Sequence, residues 1–122
     1  MTQPLLSSFK CAWTGIVHAA ATGRNFKIEL GFAVAAVVLG VALQIDVTQW
    51  AVVCLCIGAV LGGECANTAL EALVDLASPG YSELARIAKD CAAGAVLVTS
   101  VASLFVAAFV YLPKMLALIG IV

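Results

Sequence analysis

Charge is what this chain has least of: Asp, Glu, Lys and Arg make up 11% of its 122 residues, against 64% hydrophobic. That balance lies far outside the range of a soluble globular domain, and the length leaves room for one domain only. From Val47 to Gly63 there is no charged residue at all. The net charge of -1 carries no basic stripe, and no nucleic-acid signature is present. The five cysteines (Cys11, Cys54, Cys56, Cys65 and Cys91) form neither a disulfide framework nor a zinc pattern. Cys54 and Cys56, two apart, point in different directions on a helix, so all five read as small apolar packing residues. There is no internal repeat and no low-complexity segment. A Walker-type glycine loop and the protein-kinase motif set are also absent, so any nucleotide site must be built differently.

What is present is long apolar runs. Three stretches can span a bilayer: Leu30 to Ile45, bounded by Glu29 and Asp46; Val47 to Gly63; and Cys91 to Leu112, which ends at Pro113 and Lys114. The first two are short, so the first needs Ile28 and its flanks to complete the crossing. The first span begins near residue 30 with no small-residue cleavage motif after it, which argues against a cleavable signal peptide. Lys10, Arg24 and Lys27 precede the first span, Arg86 and Lys89 separate the second and third, and Lys114 lies beyond the third. The positive-inside rule then places the N-terminus and the Ser78 to Asp90 loop in the cytoplasm, with Trp50 as an anchor at the outer interface. Residues 5-21 form an amphipathic surface helix. Its apolar face holds Leu5, Phe9, Ala12, Trp13, Ile16 and Ala20, and its polar face holds Ser7, Lys10, Thr14 and a solvent-exposed His18. Thr22, Gly23 and Asn25 break the chain before the spans. The expected helices are about 28-45, 47-77 and 86-112. Small residues at helix-contact spacing (Gly31 with Ala35, Gly58 with Gly62, and Ala88, Ala92 and Gly94) mark where helices approach closely in lipid, and the charged ends favour an oligomer.

The chemistry concentrates between Glu64 and Asp90. At 100° per residue, Glu64, Asn67, Thr68, Glu71, Asp75 and Ser78 fall within an arc about 100° wide, opposite Ala66, Ala69, Leu70, Leu73 and Ala77. A soluble amphipathic helix gives the same stripe. Here, however, the stripe grows straight out of an uncharged span, where a carboxylate is expensive and is retained for function. Glu64 and Glu71 suit a hard cation, and Lys89 suits phosphate oxygens as a point charge. That is the equipment of phosphoryl transfer, in which positioning and charge neutralisation do most of the work. The residues alone leave Glu64 open between base and metal ligand. A non-enzymatic oligomer using the stripe for assembly or ion passage is the alternative function.

The run Glu64-Cys65-Ala66-Asn67-Thr68-Ala69-Leu70-Glu71-Ala72-Leu73-Val74-Asp75 resembles the signature E-x-x-N-[ST]-A-[IL]-E-x-x-V-D of the small bacterial diacylglycerol kinase and undecaprenol kinase family. Ala88-Lys89-Asp90-Cys91-Ala92-Ala93-Gly94-Ala95-Val96-Leu97 is similar to its A-K-D-x-[AG]-[AS]-[AG]-A-V-L segment, and the likeness extends from Phe9 to Leu112. The resemblance implies an all-α homotrimeric membrane enzyme, with a surface helix and three transmembrane helices per protomer, that moves the γ-phosphate of MgATP to a lipid alcohol. It implies Glu64 as general base and Asn67 as an orienting group. Glu71 would be a metal ligand, Asp75 would lie on the nucleotide side, and Lys89 with Asp90 would hold the phosphates. Lys10 is counted with the nucleotide-binding set. One departure stands out: where the family commonly has E-R-N-[FM]-[RK], with its glutamate on the metal, this chain reads Gly23-Arg24-Asn25-Phe26-Lys27. Glu29 is either the substitute metal ligand or only the marker of a helix end. Ala77-Ser78-Pro79-Gly80-Tyr81 and the Ala92 to Ala95 run look more like the undecaprenol branch than the diacylglycerol branch.

Overall fold

The computed structural model describes residues 4–121, which form four helices: α1 (Leu5–Thr22), α2 (Arg24–Ala42), α3 (Val47–Ala77) and α4 (Glu83–Leu118). The last three are each long and apolar enough to cross a membrane. This is an all-α membrane protein. α3 and α4 form an antiparallel hairpin with the broadest interface in the molecule, and its register can be followed along the whole length. Near one end Lys89 meets Asp75. In the middle, a Cβ on Gly63 would lie 3.7 Å from Val96 and 3.9 Å from Thr99. At the other end Val53, Val110, Tyr111 and Ile45 share one apolar cluster. α2 lies in the cleft of this hairpin, tied to α4 by Ser100 to Glu29 at one level and by the Tyr111 hydroxyl to the Ala36 carbonyl, 2.8 Å, at another.

Local chemistry sets the helix ends, and it moves several of the expected boundaries. The break before α2 is Gly23 alone, with extended backbone, so α2 begins at Arg24 rather than 28. A side chain there is excluded, because a Cβ would stand 2.8 Å from the Ala19 carbonyl oxygen. α2 ends at Ala42 instead of reaching Ile45. Gln44 adopts φ 54°, and the Gln44 and Ile45 amides donate to the Val41 and Gly40 carbonyls at 3.2 and 3.1 Å. This is a Schellman closure with glutamine in the left-handed position where glycine is usual. The same cap folds Ile45 into the core, and Trp50 packs over Gly40, where a Cβ would meet its ring at 2.8 Å. α3 starts on a capping box between Asp46 and Gln49.

α4 begins at Glu83, on a Ser82 cap, and runs through Pro113 to Leu118, five residues past the proline expected to end it. Proline removes one backbone donor. Buried Val110 and Tyr111 hold the preceding turn in place, and a transmembrane helix tolerates the loss.

Most of the expected glycine contacts are not made within the chain: Gly31, Gly58, Gly62 and Gly94 have nothing packed on them within 4 Å, whereas Gly40 and Gly63 do. Nor are the cysteines uniformly packed. All are free, and Cys11, Cys54 and Cys91 are exposed. On α1 only Ala19 is buried, and Leu5, Phe9 and Trp13 stand out with two thirds or more of their surface uncovered or nearly so, as a helix lying in the membrane interface requires.

Candidate active site

The stripe on the C-terminal half of α3 is oriented opposite to that of a soluble amphipathic helix. Of its polar members, Glu64, Asn67, Thr68 and Ser78 are buried or half-buried and Glu71 and Asp75, nearer the helix end, are exposed, while Ala66, Ala69, Leu70, Leu73 and Ala77 are exposed. Water would turn the helix the other way; lipid accounts for this orientation, because an apolar face costs nothing there and a carboxylate costs a great deal. Glu64, 4% exposed, is the one buried charged residue among those described.

Its immediate surroundings are other carboxylates. The Glu64 carboxyl lies against that of Glu29, with Glu71 near enough to act on it electrostatically. Glu29 accepts a hydrogen bond from the Ser100 hydroxyl at 3.0 Å through Oε1. Its Oε2, the Glu64 Oε1 and the Asn67 Oδ1 are all buried without a partner. Three acceptors with no donor form a concave site that wants protons or a cation.

A turn further on, the Asn67 amide donates to Glu71 at 3.3 Å, which leaves its own oxygen free. Beyond that, Lys89 meets Asp75 at 2.6 Å, and Arg86 meets Glu83 at 2.5 Å and Asp90 at 2.7 Å. Among the described residues no group of three or more His, Cys, Asp or Glu side chains surrounds one point. Magnesium is held by one or two carboxylates and completed by waters and substrate phosphates. The unpartnered Oε2 of Glu29 is the feature that fits such an ion.

Below Glu29 a groove of about 300 Å³ opens between α2, α3 and α4, lined by apolar side chains such as Phe32, Ile57 and Leu104 and reaching Tyr111. From Ser100 to Tyr111 along α4 it extends about 16 Å at the helical rise. Its polar head is Glu29 and Ser100. The arrangement is an apolar slot closed at one end by carboxylates, with a water-facing set of charges above them.

Comparison with known proteins gives this geometry its context. The sequence profile of prokaryotic diacylglycerol kinase matches residues 10–111. The chain belongs to that family. It is 44% identical over 115 residues to a diacylglycerol kinase of Synechocystis sp., covering 93% of this chain and 66% of that protein. It is 38% identical over 108 residues to an undecaprenol kinase of Bacillus subtilis, covering 88% of each. The chain therefore spans about two thirds of the length of the first relative and most of the second. Membership of a membrane lipid kinase family entails a bilayer, a lipid substrate and a nucleotide.

Within this family member, the expected site residues divide into groups. Glu64, Asn67 and Glu71 are together on α3, and Asp75 and Lys89 join them across the hairpin. Lys89 and Asp90, adjacent in sequence, have different partners: Lys89 turns to Asp75 on α3 and Asp90 to Arg86 on its own helix. Lys10 is exposed on α1, and no ion pair involves it among the described residues. Glu29 faces the stripe and is not merely a helix end. Sequence reasoning missed Ser100 and Arg86. Ser100 had a usable signal, since it lies 11 residues after Lys89, three helical turns on the same face.

Proposed function

We propose that this chain is a lipid kinase transferring the γ-phosphoryl group of MgATP to the hydroxyl of a membrane lipid alcohol, with undecaprenol favoured over diacylglycerol. The observation that carries the proposal is the buried, unpartnered Glu64 at the head of an apolar groove, directly beneath the exposed Asn67–Glu71 and Asp75–Lys89 contacts.

In this reading the lipid lies in the groove with its hydroxyl at Glu64. The carboxylate takes the hydroxyl proton as the lipid oxygen bonds to the γ-phosphorus. The bond from that phosphorus to the bridging oxygen breaks, and ADP leaves with the electron pair. Lys89 exchanges Asp75 for phosphate oxygens. Asp75, Asp90 and Lys10 complete the nucleotide side, and Asn67 keeps Glu71 oriented. Glu71 and Glu29 would hold the magnesium ion, which when bound neutralises phosphate charge.

Lipid preference follows from counting donors. Every hydroxyl lining the groove is already committed: Ser100 to Glu29, Ser103 to the Thr99 carbonyl at 2.8 Å, and Tyr111 to the Ala36 carbonyl at 2.8 Å. A diacylglycerol would bring ester carbonyls into a slot with no free donor, and a buried acceptor left unpaired costs roughly 1–3 kcal/mol. A polyprenol brings only its hydroxyl, which donates to a carboxylate. The motif likeness to the undecaprenol branch points the same way.

The proposal extends to a homotrimer, to which the uncovered faces of Gly31, Gly58 and Gly62 are suited. It also extends to an orientation with the N-terminus and the site in the cytoplasm. Arg24, Lys27, Arg86 and Lys89 cluster at the acidic end of the bundle, and Lys114 lies at the other. The test is transfer of label from γ-labelled ATP to undecaprenol and to diacylglycerol, side by side in detergent. Metal-dependent labelling of undecaprenol above diacylglycerol is expected. No labelling of either lipid overturns the proposal, and equal labelling overturns the preference.

A further inference from the structure

Hydroxyls within these helices have a common habit. Thr14, Thr22, Thr68, Thr99 and Ser103 each donate to the carbonyl four residues earlier, at 2.8 to 3.2 Å. This is the default for serine and threonine in a helix, because the acceptor is always within reach. Ser100 departs from it. Its hydroxyl crosses to α2 and donates to Glu29 Oε1 at 3.0 Å, linking residues 71 apart in sequence. The consequence falls on the other oxygen, since Glu29 Oε2 is left buried and unpartnered, beside the equally unpartnered Oε1 of a carboxylate only 4% exposed.

Two carboxylates facing each other without an intervening donor repel, and Glu29 has single bonds about which to swing away. Among the described residues, the Ser100 hydroxyl is the donor that reaches it from α4. Gly23, where the related enzymes commonly carry a carboxylate, cannot take a side chain without displacing the Ala19 carbonyl.

We propose that Ser100 is a positioning residue: it clamps Glu29 so that its free oxygen faces Glu64, making Glu29 the divalent-cation carboxylate that position 23 does not supply. The inference rests on the lipid-kinase reading for the identity of the cation site. Groups that orient a metal's ligands are worth about 10- to 100-fold in metal affinity. A neutral serine that fixes one of two carboxylates belongs at the lower end of that range.

The experiment is a manganese titration followed by electron paramagnetic resonance, on the full chain in detergent with a non-hydrolysable ATP analogue, alongside the magnesium dependence of turnover. Ser100→Ala is expected to weaken manganese binding and to raise the magnesium needed for half-maximal rate, each by about tenfold. The midpoint of thermal unfolding should fall modestly as well, because a part-buried hydrogen bond to a carboxylate is lost. Ser100→Thr restores the hydroxyl and should return both values toward those of the parent. Glu29→Gln should weaken manganese binding further than Ser100→Ala. If Ser100→Ala binds manganese as the parent does while Glu29→Gln does not, Ser100 positions nothing and the proposal fails with the cation site intact. If Glu29→Gln also binds normally, Glu29 is no ligand and the proposal fails at its first step. Equal losses in Ser100→Ala and Ser100→Thr, with the unfolding midpoint lowered in both, reduce the residue to packing and overturn it as well. Failure of the parent to phosphorylate any lipid defeats the lipid-kinase reading separately, since manganese binding is measured without turnover.

Discussion

Replacing Glu64 with glutamine should slow the protein and stabilise it at once. The rate effect follows from the loss of the proton acceptor: glutamine has nearly the same shape but no basic oxygen, and removal of a general base costs about 10²- to 10⁴-fold, or roughly 2.7 to 5.5 kcal/mol on the barrier. The stability effect follows from the surroundings. Glu64 is 4% exposed, and its Oε1 and the Glu29 Oε2 are both buried without a partner. Glutamine removes one of two opposed charges and brings an amide that can donate to Glu29, a hydrogen bond to a charged group worth about 1.5–3 kcal/mol. Some of that gain is offset by any strain in turning the amide, so an increase of the order of 1 kcal/mol is the expectation. Label transfer from MgATP to undecaprenol reads the rate, and thermal unfolding followed by size-exclusion chromatography reads the stability. A near-normal rate would refute Glu64 as base. A rise in KM for ATP with kcat unchanged would make it a binding group. A drop in unfolding midpoint would refute the picture of two unsatisfied carboxylates face to face.

Glu71→Ala should abolish turnover while leaving folding intact, since Glu71 is exposed beyond the core and, among the described residues, its one side-chain hydrogen bond is with Asn67; turnover that recovers at saturating magnesium would remove it from the metal site. Gly23→Glu should lower the unfolding midpoint instead of improving magnesium use, because its Cβ would stand 2.8 Å from the Ala19 carbonyl; a lower magnesium requirement in that variant would show that position 23 can rejoin the site. Gly40→Ala drives a methyl into the Trp50 ring and the Ile45 side chain. Overpacking costs about 1–3 kcal/mol and the helix gains back at most about 1, so a lower midpoint with kcat unchanged is expected, and an unchanged midpoint would mean that the ring moves freely.

The polar stripe on α3 was legible from sequence because helical periodicity groups Glu64, Asn67, Thr68 and Glu71 whatever surrounds them. Which way it faces was not, since the same pattern serves water and lipid with opposite polarity; the neighbouring uncharged run supplied the missing term. Spacing alone could not tell that Lys89 and Asp90 part company, because adjacent residues lie 100° apart on a helix and the partner of each is decided by which other helix is near. Glu29 sat at the edge of a span in sequence, where a helix end and an inward-facing ligand look alike. Only the packing of α2 into the hairpin separates them. Pro113 misled for a related reason: its missing donor breaks an isolated helix, whereas here buried neighbours hold the preceding turn. The unused glycines are the converse case. Small-residue spacing announces a close approach without naming the partner, and among the described residues no helix covers Gly58 or Gly62.

A kinase acting on a lipid must bring together a substrate that stays in hydrocarbon and a nucleotide that stays in water, and helix length solves that problem here. Hydrocarbon is about 30 Å thick. Measured along α3 from Val47 at 1.5 Å per residue, Glu64 lies about 26 Å from the far end, Glu71 about 36 Å and Asp75 about 42 Å. The proposed base thus sits just inside the apolar layer, where a lipid hydroxyl resides, and the proposed metal and phosphate groups rise past it into the aqueous phase. The long α4, running antiparallel, supplies Ser100 at the lower level and Lys89 at the upper one. A phosphate-binding glycine loop becomes unnecessary, because two helices that overshoot the membrane already carry charges to the height at which the two substrates meet. The same geometry accounts for the proposed base being the buried carboxylate: moved one turn toward water it would be solvated and easily placed, but out of reach of an alcohol anchored by its hydrocarbon tail.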